Sequence, residues 1–230
     1  MTDFTTFENR IGVSFHDKAL LQTAFTHRSY VNEHKNGKLE HNERLEFLGD
    51  AVLELVTTDF LYKKYPEKAE GDLTSYRAGL VNASTLATIA TGLSMNEYLL
   101  LSKGEARDEG RARQYILANT IEALIGALYL DQGYDVARAF IESYLLPLTD
   151  DIVEKHLWRD AKSRFQELAQ EHDNETPIYK SVNEVGPDHD KTFTIAVFVG
   201  DEKVAEGIGR SKQEGEQAAA QAALEAKGWL

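Results

Sequence analysis

The chain has 230 residues, room for one large domain or two smaller ones that each bury a core. Hydrophobic residues make up 42% and charged residues 27%, the balance of a globular rather than a disordered chain. The net charge of −13 argues against coating nucleic acid by bulk electrostatics, yet it suits carboxylates gathered to hold divalent cations. Cysteine is absent, which excludes disulfides, cysteine–zinc sites and a cysteine nucleophile and fits a reducing, cytoplasmic setting. The first twenty residues carry Asp3, Glu8 and Asp17 and lack an apolar stretch of signal-peptide length. The apolar run 116–130 is broken by Asn119, Thr120 and Glu122, so neither secretion nor a membrane span is expected.

From residue 4 to about 146, apolar residues recur at three- and four-residue intervals, punctuated by Gly12, Pro66, Gly71, Gly92, Gly104, Gly110, Gly133 and Pro147. This predicts successive helices. Residues 149–160 are polar and read as a linker or a frayed last helix. Beyond them, 161–171 reads as a helix and 177–185 as a strand. In 192–199, Phe193, Ile195, Val197 and Val199 share one face of a half-buried strand. The turn Gly200-Asp201-Glu202 leads to a third strand, 203–209, and 211–227 is an alanine-rich helix able to lie close on a sheet. The expected organisation is α+β: an all-α domain over 1–150, a linker at 151–158, and an α-β-β-β-α domain over 159–230.

Chemistry concentrates on two helices. On a wheel of about 100° per residue with Glu43 at zero, Glu46, Asp50 and Glu54 fall at about 300°, 340° and 20°. Four carboxylates thus share an arc of roughly 80°. Leu45, Leu48, Ala51, Val52, Leu55 and Val56 are expected on the opposite, packed side. Phe47 projects at about 40°, among the acids, which suggests a partner surface such as a second copy of the chain. The helix at 116–130 is apolar almost all round, and Asn119 and Glu122 break it on one face, with Gly126 leaving room beside them. A buried glutamate needs a cation or a proton. Two readings follow: an ion pair with Arg44 or Arg77, or a hard cation such as Mg²⁺ held by Glu46, Asp50, Asn119 and Glu122.

The run Asn42-Glu43-Arg44-Leu45-Glu46-Phe47-Leu48-Gly49-Asp50-Ala51-Val52-Leu53 resembles the signature of the ribonuclease III family. Ile116-Leu117-Ala118-Asn119-Thr120-Ile121-Glu122-Ala123-Leu124-Ile125-Gly126-Ala127 resembles its second catalytic helix. Phe25-Thr26-His27-Arg28-Ser29-Tyr30 and Glu70-Gly71-Asp72-Leu73 match further family segments, and the α-β-β-β-α tail is similar to a double-stranded RNA-binding domain. The resemblance implies a homodimeric endoribonuclease that cleaves double-stranded RNA to 5′-phosphate and 3′-hydroxyl ends, processing ribosomal precursor and other structured RNAs. It implies Mg²⁺, with Mn²⁺ as a substitute, on Glu46, Asp50, Asn119 and Glu122. Within that set Asp50 and Glu122 are the catalytic acids, Glu43 and Glu70 are accessory acids, and Phe47 inserts into the partner subunit. Gln166, His189, Arg210, Ser211 and Lys212 fall on RNA contacts.

Two features depart from the family pattern. Asn119 stands where aspartate is common, which removes one formal charge from the site and is expected to weaken metal affinity. The tail, from Asp160 to Leu230, holds 8 Lys/Arg against 14 Asp/Glu, and its last helix opens with Arg210 and Lys212 in place of a basic cluster. Duplex RNA is read through phosphates and 2′-hydroxyls, so few cations imply weak binding with a flat salt dependence. Lys103, Arg107, Arg111 and Arg113, interleaved with Glu105, Asp108 and Glu109, read either as a phosphate grip or as a solvated mixed-charge loop. The alternative function is a double-stranded RNA-binding protein with catalysis impaired by Asn119. A third, without RNA, is a helical ion-binding or scaffolding protein.

Overall fold

In the computed structural model, residues 3–34, 39–107, 110–154, 161–186 and 191–229 are described. Among them, the apolar periodicity of the first two thirds folds as nine α-helices. These are α1 (Thr5–Ile11), α2 (Lys18–Ala24), α3 (Arg28–Glu33), α4 (Glu43–Lys64), α5 (Glu70–Leu80), α6 (Ala83–Gly92), α7 (Arg111–Gln132), α8 (Tyr134–Tyr144) and α9 (Thr149–Glu154). Local chemistry sets several boundaries. The Asp17 carboxylate accepts from the Ala19 amide at 2.8 Å to open α2, and Asn82 accepts from Thr85 at 2.9 Å to open α6. Gly12 closes α1 with φ of 71°, a left-handed conformation that suits a residue without Cβ.

The core of this unit is built around α4 and α7. Leu45, Val52, Leu53, Val56 and Leu61 of α4 meet Leu117, Ile121, Leu124, Ile125 and Leu128 of α7, all buried. Gly49 and Gly126 let the two backbones touch. A Cβ on Gly49 would stand 1.8 Å from the Glu122 carbonyl oxygen, and one on Gly126 would stand 2.2 Å from that of Leu45. Phe4, Phe7, Phe25 and Tyr98 close one end as a ring cluster with centroids 5.0–6.0 Å apart.

The packed face of α4 is only partly the one expected: Leu45, Val52 and Val56 are buried and Leu48 is half-buried. Ala51 and Leu55 are exposed, Leu55 at 57%, whereas Gly49 and Leu53 are buried. The buried stripe is centred near 230° on the wheel, and Phe47, Ala51, Leu55 and Tyr62 line a second apolar stripe at about 40° to 120°. The helix has two apolar faces with the acids along one seam, so a single inside–outside division misplaces the smaller face. Residues 151–154, within the stretch expected as linker, continue α9, and Ile152 is buried in the core.

The chain divides into two compact units, Met1–Trp158 and Arg159–Leu230. The second unit runs α10 (Ala161–His172), β1 (Ile178–Val185), β2 (Thr192–Val199), β3 (Glu202–Gly209) and α11 (Lys212–Lys227), as expected to within a residue or two. The sheet is antiparallel in the order β1-β2-β3. Ile195, Val197 and Val199 face Phe165, Ala169, Ala219, Ala220, Ala223 and Leu224 in its core, with Phe193 at the margin. The small residues of α11 set its closeness to the sheet: a Cβ on Gly207 would lie 2.0 Å from the Ala219 nitrogen. Ser211 caps α11 by accepting from the Glu214 amide at 3.2 Å, and the Glu214 carboxylate accepts from the Arg210 amide at 2.9 Å.

The α4–α7 contact gives a direct test. Gly49→Ala and Gly126→Ala each force the helices apart and are expected to lower stability by roughly 1–3 kcal/mol, the usual range for overpacking. Gly92→Ala at the end of α6, where a Cβ meets nothing within 4 Å, is expected to leave it unchanged or raise it slightly. Urea unfolding midpoints of the three variants decide the point.

Candidate active site

Three carboxylates lie along the contact of α4 with α7, near enough to act electrostatically on one another. Glu46 and Asp50 sit one turn apart on α4, and Glu122 projects from α7 at the level where Gly49 touches its carbonyl. Burial pushes the Glu122 carboxyl up to about 8, reinforced by the negative charges of Asp50 and Glu46. Glu46 is raised by burial and by Glu43 and Asp50, and a hydrogen bond from the Asn119 side chain offsets part of the rise. Asp50 is raised by burial and by Glu54 one turn further along. The structure therefore brings together four of the residues expected from sequence: Glu46, Asp50, Asn119 and Glu122.

Among the described residues, no lysine or arginine forms an ion pair with Glu46, Asp50 or Glu122. The structural ion pair weighed for Glu122 is not formed: the Arg77 guanidinium donates instead to the Thr58 hydroxyl at 3.0 Å. Nor do three His, Asp or Glu side chains among the described residues converge tightly enough to cage an ion as they stand. The donor set itself is what a hard cation takes: several carboxylate oxygens and one amide oxygen, with open positions for water. The residues fit a divalent ion in the kind of donor they offer.

The accessory acids lie differently. Glu43 is claimed by Arg28, at 3.1 Å, and by His41, at 3.7 Å, one on each oxygen. Its charge is partly neutralised at the edge of the site. Glu70, in the first turn of α5, accepts from the Thr74 hydroxyl at 2.9 Å and is not among the charges acting on Glu46, Asp50 or Glu122. The basic segment before α7 is also divided. Lys103 and Arg107 are exposed, whereas Arg113 lies inside α7 and donates to the Asn96 side chain at 2.8 Å and the Glu105 carbonyl at 2.7 Å. That arginine fastens the start of the helix rather than reaching outward.

Phe47 is 82% exposed beside the acids, and Leu55 and Tyr62, the latter at 72%, continue the same stripe. Tyr62 was not singled out by the motifs; its only sequence signal is the spacing from Phe47 along α4. In the second unit Gln166 is exposed on α10, in a shallow groove with Ser163, Glu167 and Gln170. Ser211 is committed to capping α11, and the Lys212 ammonium pairs with Glu184 at 3.3 Å. Arg210 is exposed. His189 lies outside the described residues. No described helix is long and apolar enough to cross a membrane.

Comparison with known proteins agrees with this arrangement. A ribonuclease-III-like family model matches residues 17–148, and a double-stranded RNA binding motif matches residues 161–227. The chain is similar to Ribonuclease 3 of Pelotomaculum thermopropionicum, with 47% identity over 220 residues that cover 96% of this chain and 91% of the relative. It is equally similar to Ribonuclease 3 of Bacillus licheniformis, with 48% identity over 221 residues that cover 96% and 88% of the two chains. A solved nuclease domain of ribonuclease III from Campylobacter jejuni, described for flexibility in its dimer-forming region, aligns with a TM-score of 0.57 at 38% identity. That alignment covers 65% of this chain and 97% of the other. With both family models in chain order and near-half identity across almost the whole length, the chain belongs to the ribonuclease III family, an endoribonuclease domain followed by a double-stranded RNA binding motif.

Proposed function

We propose that this protein is a homodimeric, Mg²⁺-dependent endoribonuclease that hydrolyses double-stranded RNA to 5′-phosphate and 3′-hydroxyl ends. Its substrates are ribosomal precursor and other structured RNAs in the cytoplasm, and Mn²⁺ replaces Mg²⁺. The observation that carries this reading is the coupling of Glu46, Asp50 and Glu122 across α4 and α7, with no lysine or arginine among the described residues paired to them.

Glu46, Asp50 and Glu122, with the Asn119 amide oxygen, would hold the Mg²⁺. When bound, the ion lowers the pKa of a water and offsets negative charge building on the scissile phosphate. The protein's own part is placement. Bare carboxylates repel a phosphodiester, so the acids act by fixing cation and water rather than by meeting RNA directly. Asp50 and Glu122, on facing helices, define the catalytic position, and Asn119 steadies Glu46 through its hydrogen bond. Asn119 contributes no charge of its own, which lowers the field on the cation. Glu43, held by Arg28 and His41, supports the margin of the site, and Glu70 is an accessory acid on α5. Gln166, His189, Arg210, Ser211 and Lys212 form the duplex-reading surface of the second unit. Phe47, with Leu55 and Tyr62, forms the contact with a second copy, because an apolar stripe this exposed favours burial.

Incubating a long RNA duplex with Mg²⁺, with and without chelator, tests the main reading. Cleavage is expected only with metal, and Glu122→Gln is expected to slow it by roughly hundredfold or more while duplex binding persists. Asn119→Asp in the same titration is expected to reach half-maximal rate at lower Mg²⁺. Intact binding with no product under any metal concentration would leave a duplex-holding protein instead.

Phe47→Asp is expected to shift the chain from dimer to monomer in sedimentation velocity, without changing the helical circular dichroism. A pH effect follows from the raised Glu122. Its folded value of about 8 exceeds the ordinary 4.5, so protonation favours the folded state. That contribution is complete below about 4.5 and is lost as pH rises through 8. In chelator, the urea midpoint of the parent protein is expected to fall from pH 5 to pH 9 relative to that of Glu122→Gln.

A further inference from the structure

Several lysines of the second unit are held in internal pairs. Lys162 reaches Glu216 at 2.6 Å, Lys203 reaches Glu206 at 2.6 Å, and Lys227 reaches Asp173 at 3.4 Å. Glu184, near the end of β1, is unusual because two lysines from other elements meet on it. Lys212, from the first turn of α11, lies 3.3 Å from Oε1, and Lys191, just before β2, lies 3.8 Å from Oε2. The Ser181 hydroxyl donates to Oε1 at 3.4 Å, and the Phe193 ring sits 5.7 Å under the Lys212 ammonium. One carboxylate therefore occupies the space between two ammonium groups, each oxygen facing a different lysine. A phosphate with two free oxygens makes the same pair of contacts.

We propose that Glu184 is a built-in stand-in for an RNA phosphate, competing with the duplex for Lys212 and Lys191 and thereby setting the affinity of the second unit. The inference rests on the reading that the start of α11 faces the RNA. The side chains are partly exposed, at 37% for Glu184 and 61% for Lys212, so their pairing is weak and yields to the denser charge of a nucleic acid backbone. When RNA takes the lysines, Glu184 is left as an uncompensated negative charge beside the phosphates. It then gathers a cation from solution, which cancels part of the counter-ion release that drives binding. Affinity is lowered and its salt dependence flattened, without closing the surface. A chain with so few basic residues at this helix thus weakens the ones it keeps.

The test uses the full chain in chelator, so that RNA is bound and not cleaved. The probe is a perfect duplex of about 16 base pairs, the span of one such domain, followed by fluorescence anisotropy across a salt series. Glu184→Gln is expected to bind roughly threefold to tenfold tighter near 0.1 M salt, with a log–log salt slope steeper by about one. Glu184→Thr, suited to a strand, is expected to behave alike. Glu206→Gln removes the same charge from the Lys203 pair and is expected to bind like the parent. Adding Lys191→Met and Lys212→Met to Glu184→Gln is expected to erase the gain. An unchanged affinity in both Glu184 variants, an equal gain in Glu206→Gln, or a gain that survives loss of both lysines overturns the proposal. If the parent binds and Glu184→Gln merely matches it, only the role of Glu184 falls. If neither binds the duplex, the assignment of the RNA-reading surface falls with it.

Discussion

Close contact between α4 and α7 is the constraint on which the rest depends. Gly49 and Gly126 remove the side chains that would otherwise separate the two backbones, and each glycine lies directly against a carbonyl of the facing helix. Apolar burial along Leu45, Val52, Leu53, Ile121, Leu124 and Ile125 holds them there. The consequence is electrostatic: Glu122 is carried up to Glu46 and Asp50, and three acids share a half-buried seam. Hydrophobic packing thus buries Glu122 and sets it beside two other acids; burial first, and then their negative charges, raise its carboxyl far above its ordinary range. A cation relieves this, so the fold and the metal requirement of the family have one origin.

Acidity is distributed for different ends along the chain. In the first unit the acids at the α4–α7 seam pair with no lysine or arginine among the described residues, while Glu43 nearby is paired with Arg28. In the second unit acids and lysines pair with one another across elements, and Glu184 engages two lysines together. Duplex RNA is a polyanion, and a chain of net charge −13 meets it through local cation sites rather than a general field. In the proposed function the nuclease seam supplies such a site through metal, and the second unit through a small number of side chains.

Helix α4 serves three surfaces at once. It presents one stripe to the core, one seam of acids to the active site, and a third stripe of Phe47, Leu55 and Tyr62 to solvent. Twenty-two residues give enough turns for all three. The exposed stripe adjoins the acids, so in the proposed dimer a second chain covering Phe47 would lie next to them.

The sequence by itself determined the α+β order, the helical and strand periods and the division into two units, and it marked Glu46 with Asp50 and Asn119 with Glu122 as pairs on two helices, because these follow from spacing within a helix or strand; the approach of one pair to the other came from the packing of α4 on α7. Phe47 was legible for the same reason: an aromatic among carboxylates violates the period. Only the tertiary structure decided which of the two apolar faces of α4 is buried, since Ala51 and Leu55 are as apolar as Gly49 and Leu53 and nothing local distinguishes them. It also decided that Arg28 belongs to Glu43, that Arg113 is committed to Asn96 and the Glu105 carbonyl, and that Lys191 and Lys212 meet on Glu184. Ion pairs between distant segments are set by where the chain brings its side chains. That depends on packing of the whole domain, and a local pattern of residues carries no record of it.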